Sequence, residues 1–116
     1  MLLLTHIICS LLLSCLFPTK FYLILIGGVA PDIIDYAFRL RHRSKITHNL
    51  LLSTILLVIS PYIGIGHLHH LILDVFTVQG VYFGKKRVRL TRRRSKDYAL
   101  NATCILLHLL FLTLNL

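Results

Sequence analysis

Residues Ile46–Thr77 read ITHNLLLSTILLVISPYIGIGHLHHLILDVFT. The stretch is strongly apolar, and Pro61, Gly64 and Gly66 interrupt its middle. At about 1.5 Å per residue, two helices of roughly 15 residues would each reach about 22 Å. A full bilayer crossing needs about 20 residues. The pattern predicts a pair of short helices, either tilted spans or a hairpin entering from one side. Either way the chain returns to the side it left.

Basic loops border this stretch. Arg39, Arg41, Arg43 and Lys45 precede it, within 39–45. Lys85, Lys86, Arg87, Arg89, Arg92, Arg93, Arg94 and Lys96 follow it, within 78–96. These clusters hold four and eight of the thirteen basic residues, so the net charge of +9 is local rather than spread. Both loops lie on one face, and the positive-inside rule makes that face cytoplasmic.

The chain is 56% hydrophobic, with a mean hydropathy of +0.77. A membrane protein is the first reading of such a composition, ahead of a small soluble helical core. Apolar segments fall at about 2–17, 21–38, 46–63, 67–77 and 97–115. The fold class expected is all-α: one integral membrane domain over 1–116, with four to five short apolar helices and two cytoplasmic basic loops. Segment parity places the N-terminus in the cytoplasm and the C-terminus outside. Ser95 is the expected N-cap of the last helix, with Asp97 in its first turn. Cys9, Cys15 and Cys104 lie apart in apolar stretches and read as packing residues.

Only four acids occur, and Asp32, Asp35 and Asp74 lie in or beside apolar segments. Carboxylates in such places are usually paired or functional. The topology delivers Asp32 and Asp35, His48, His70 with Asp74, and His6 to one depth on the cytoplasmic face. His70 and Asp74 share a helix face at i and i+4. Imidazole nitrogen with carboxylate oxygen suits a divalent cation, zinc foremost. Thr47 and Asn49 flank His48 and can orient ligands from behind. Arg43 and Lys45 are placed to hold an anionic substrate group. A buried polar His–Asp pair is the plain alternative for each piece. His67, His69 and His108 read as interfacial or helix-packing residues. The Asn101-Ala102-Thr103 sequon sits in an apolar helix and is discounted as a glycosylation site.

His70-x-x-x-Asp74-x-x-Thr77-x-x-Gly80-Val81-Tyr82 resembles the signature of small membrane proteins classed as metal-dependent hydrolases, among them the LexA-binding, inner-membrane-associated family. Thr5-His6, Pro31-Asp32 with Asp35, and His42-Arg43 with Thr47-His48-Asn49-Leu50 resemble its other marks. The nearer likeness is to a family of small archaeal and archaeal-virus membrane proteins with Ile-Asp, Thr-His and His-x-x-Leu-Asp-x-[Phe/Leu]-Thr blocks. The resemblance implies His48, His70, Asp74 and Asp35 as metal ligands, with His6 a further candidate. It adds Thr77 as a supporting residue and favours Asp35 over Asp32. Asp32 is then the candidate general base.

The function expected is a membrane-bound, metal-dependent hydrolase at the cytoplasmic face. The alternative is a non-catalytic viral or host membrane-organising factor whose basic loops bind anionic lipid, a partner or nucleic acid. No aromatic stacking pattern accompanies the loops, which argues against nucleic acid.

Overall fold

The computed structural model describes residues 1–40 and 43–116; His42 of the resemblance lies outside them. The order is α1 (Leu3–Ser14), α2 (Phe21–Ala37), α3 (Leu50–Ile59), α4 (Pro61–Val75), β1 (Val81–Phe83), β2 (Lys86–Val88) and α5 (Tyr98–Asn115). The helical architecture follows the apolar segments. Ile46–Thr77 does form two helices, but the break falls at Ser60, whose backbone is extended. Pro61 starts α4, where its missing N–H costs nothing. Gly64 and Gly66 lie inside α4, and Pro31 lies inside α2.

Two sequence expectations need correction. The second basic loop contains an antiparallel hairpin, pairing Val81 with Val88, Tyr82 with Arg87 and Phe83 with Lys86. Gly84 turns it with a φ of +58°, and Val, Tyr and Phe favour extended backbone. The N-cap of α5 is Asp97 rather than Ser95, and its carboxylate accepts the Leu100 N–H at 3.1 Å. That hydrogen bond holds the Asp97 carboxyl below its ordinary pKa.

Glycines set how closely the helices meet. A Cβ on Gly27 would lie 2.1 Å from the Ile63 carbonyl oxygen, and one on Gly66 would lie 2.1 Å from that of Ile24. Thus α2 and α4 touch backbone to backbone, as small residues permit. α3 packs on α4, and α1 packs on α2 and α5. α5 is tethered by Asn101, which accepts from Thr5 Oγ1 at 2.6 Å, and by His69 and His108, whose Nε2 atoms are 2.6 Å apart. Asn101 is buried in these contacts.

The distribution of polarity is inverted. Among the described residues, fourteen polar or charged side chains are buried against eight apolar ones. Leu4, Ile26, Ile33, Val58, Ile59, Leu106 and Leu114 are all more than half exposed. Water-soluble domains do the reverse. α5 is the one described helix both long and apolar enough to cross a membrane; α1 and α3 are shorter apolar helices.

Gly66→Leu is expected to lower stability by about 3 kcal/mol or more, because the inserted side chain must separate α2 from α4. Val58→Ala, on an exposed face, is expected to stay within about 0.5 kcal/mol. Thermal unfolding followed by circular dichroism in detergent checks both.

Candidate metal centre

The α2–α4 contact fixes the first histidine. His70 lies one turn beyond Gly66, and its Nδ1 is 2.8 Å from the Gly28 carbonyl oxygen. A carbonyl only accepts, so Nδ1 carries the proton of the neutral ring and Nε2 presents a lone pair.

His48 is held the same way from another direction. Its Nδ1 lies 3.0 Å from Thr47 Oγ1 and 3.3 Å from Asp35 Oδ2. Thr47 Oγ1 donates its own proton to Asp35 Oδ1 at 2.6 Å, so Nδ1 is the donor and Nε2 again carries a lone pair. The peptide behind the ring is clamped on both sides. His67 Nε2 donates to the Thr47 carbonyl at 2.8 Å, and Tyr82 N–H donates to the His48 carbonyl at 2.8 Å. Ser53 Oγ completes His67 by donating to its Nδ1 at 2.7 Å.

The two Nε2 atoms stand 3.1 Å apart. Asp74 Oδ2 is 3.4 Å from each of them. Asp32 Oδ1 is 3.4 Å from His48 Nε2 and 3.9 Å from His70 Nε2. Both carboxylate oxygens are buried without a hydrogen-bond partner. An orphaned buried acceptor costs about 1–3 kcal/mol, and more when charged. Lone pairs of the ring nitrogens and carboxylates brought this close repel one another unless a cation, a proton or a metal ion, lies between them. Zinc bonds to nitrogen and oxygen of about 2.0–2.1 Å put the corners of a tetrahedron about 3.4 Å apart. The measured separations match that spacing. His48, His70 and Asp74 form one group able to hold a metal ion, and His6, Asp32 and His70 form an adjoining one.

Asp74 presents its other oxygen away from the cluster. Oδ1 accepts from Arg43 Nη2 at 2.6 Å and faces His6 Nε2 at 3.1 Å; the Met1 amino group also contacts it. The His6 ring stacks on that of His70 with centroids 3.8 Å apart. His6 therefore braces both Asp74 and His70.

Several sequence expectations change here. Asp35 does not stand among the converging atoms. Its carboxylate accepts from Ser44 N, Ser44 Oγ and Thr47 Oγ1, and so sits behind His48 on the Nδ1 side. Asp32, one helical turn earlier, takes the Nε2 side. Arg43 is buried against Asp74, Thr77 and Ser95, which leaves no guanidinium edge facing a substrate. Burial pulls its pKa below the ordinary value, and the Asp74 charge offsets part of that. Lys45 is exposed and lies over the Tyr82 ring at 5.9 Å, away from the cluster. Asn49 caps α3 by accepting from Leu51 N at 3.1 Å and clasps Gly84 of the hairpin, so it does not orient His48 through its side chain. Thr47 does touch His48. Thr77 Oγ1 donates to the Asp74 carbonyl at 2.8 Å and accepts from Arg43. His67 is the positioning residue that spacing alone missed.

Comparison of the chain with protein-family models, curated proteins and solved structures finds no match.

Asp35→Asn is expected to weaken divalent-metal affinity about 10–100-fold without abolishing it, because it loosens the support behind His48. His70→Ala is expected to abolish binding. Equilibrium dialysis against zinc with the detergent-purified protein measures both.

Proposed function

We propose that the chain is a membrane-embedded, metal-dependent hydrolase whose site opens at the cytoplasmic face. One observation carries this reading. Two buried, unpartnered carboxylate oxygens meet two imidazole lone pairs at the spacing of a metal coordination shell. His48, His70 and Asp74 hold the ion, which is zinc by its N/O ligand set and tetrahedral spacing. A divalent cation there supplies Lewis-acid polarisation of a phosphoryl or carbonyl oxygen and acidifies water.

Asp32 has a different part. It is only partly buried, whereas the other three are sealed from solvent. It stands beside the three ligands on the side that meets the outside, leaves the fourth position to water, and acts as the general base toward that water. Asp35, Thr47 and His67 orient His48, and Arg43, Thr77 and His6 orient Asp74.

The membrane reading rests on the inverted interior. Short helices with polar inner faces and apolar outer faces suit a bilayer, where α5 crosses fully and α1–α4 enter less deeply. The exposed basic hairpin favours anionic headgroups at the cytoplasmic face. The resemblance of the His70–Tyr82 block to membrane hydrolases agrees with this function. A purely structural role does not require the ligand atoms to converge, whereas a metal site does, and separations of 3.1–3.9 Å meet that requirement.

Metal analysis of the detergent-purified protein is expected to find about one zinc per chain, lost in the His70→Ala, Asp74→Ala double variant. Asp32→Asn is expected to keep the metal while lowering hydrolysis of a chromogenic phosphoester about 100-fold or more. Absence of any bound divalent metal from the wild type would refute the site.

A further inference from the structure

Asp32 of the cluster also lines a cleft of about 300 Å³ at the C-terminal end of α2, together with Asp35, Tyr36, Arg39 and Leu40. Two apolar clefts adjoin along the row of Ala30 and Ile34 on α2. One, of about 440 Å³, lies toward α1 and is lined by Ile26, Val29, Ala30, Ile33 and Ile34. The other, of about 300 Å³, lies toward α3 and α4 and is lined by Ala30, Ile34, Leu52, Leu56 and Ile63. Ala30 and Ile34 border both.

These features are ordered along the helix as the parts of a lipid are ordered along its length. The head end carries Arg39, an exposed guanidinium free of the carboxylate contact that occupies Arg43. Arg39 and Asp32 line the same cleft, so an anion held by Arg39 rests beside the Asp32 carboxylate. The tail end offers two apolar clefts that meet at Ala30 and Ile34. From residue 36 back to residue 26 is about 15 Å at 1.5 Å per residue, which is room for much of an acyl chain. Arginine is suited to phosphate by its forked donors.

We propose that the substrate is a phospholipid with an anionic phosphate headgroup. Its phosphate meets Arg39 beside Asp32, and its two acyl chains lie in the two apolar clefts along α2. This rests on the reading of the cluster as a hydrolytic metal site, but lipid capture itself needs only α2 and its neighbours. Water cleaves the phosphoester: the P–O bond to the leaving alcohol breaks, a new P–O bond forms from water, and Asp32 takes the proton. Asp32 then passes that proton to the leaving oxygen, so the alcohol departs neutral and no redox partner is required.

Native mass spectrometry of the full chain released from detergent tests the proposal. The probes are dioleoyl phosphatidic acid, dioleoyl phosphatidylcholine and glycerol 3-phosphate. Phosphatidic acid is expected to be retained, and the other two to be lost. Arg39→Glu and Ala30→Phe are each expected to cut retention about tenfold or more. Replacing Lys85, Lys86 and Arg87 with Ser should leave retention intact. The His70→Ala, Asp74→Ala variant should keep the lipid while losing metal in the same spectra. Failure of the metal reading is thus seen separately, as lipid retained with no metal in the wild type. Equal retention of phosphatidylcholine, retention of glycerol 3-phosphate, or loss of binding with the hairpin variant rather than with Arg39→Glu would overturn the proposal. Circular dichroism of Ala30→Phe guards against misfolding, and Arg39→Glu alters an exposed side chain.

Discussion

The backbone contact between α2 and α4 at Gly27 and Gly66 is the constraint on which the arrangement depends. It brings the His70 ring to the Gly28 carbonyl, which fixes the proton on Nδ1 and turns Nε2 inward. Asp74 is one turn further along α4, and Asp32 is one turn beyond Gly28 on α2. Both carboxylates are therefore carried to the same point by the same contact. A larger residue at either glycine would move all three donors together. His48 arrives separately, on the segment before α3, and needs its own supports in Asp35, Thr47, His67 and the hairpin.

A polar interior of this kind is costly, and the cost explains its wiring. Most buried polar side chains among the described residues have a partner; the unsatisfied atoms are His6 Nδ1, Ser10 Oγ, Arg43 Nε, His69 Nδ1 and two carboxylate oxygens at the proposed metal position. Asp74 Oδ2 and Asp32 Oδ1 are among the few unsatisfied side-chain atoms, and they point at one another's histidines. Under the proposed function, the ion supplies what those atoms lack, so folding of this region and metal binding are linked. Apolar outer faces on the same helices complete the inversion, and under the proposed function they face a bilayer.

Much of the helical order was legible in the sequence, because long apolar runs separated by charged loops leave few alternatives. The His70–Asp74 pair was legible too, since spacing i and i+4 on a helix fixes a shared face. Asp32 and Asp35 could not be separated that way. They lie three apart on one helix, and the His48 ring is wide enough to receive one on each side, so which nitrogen each meets is decided by where Ser44 and Thr47 fold. Arg43 read as an open cation because its partners, Asp74 and Thr77, are more than thirty residues away. The hairpin was hidden by its charge: six of the eight basic residues of the second loop lie outside β1 and β2, and they masked the Val81-Tyr82-Phe83 extended pattern. Asn49 did carry a signal, since an Asn directly before an apolar run is an N-cap pattern.

X-ray absorption at the zinc edge of the purified wild-type protein reads the coordination shell most directly. The predicted spectrum has only nitrogen and oxygen neighbours at about 2.0–2.1 Å, with the outer-shell scattering of two imidazole rings. A shell containing sulfur near about 2.3 Å, or one without imidazole scattering, would contradict a centre built from His48, His70 and Asp74.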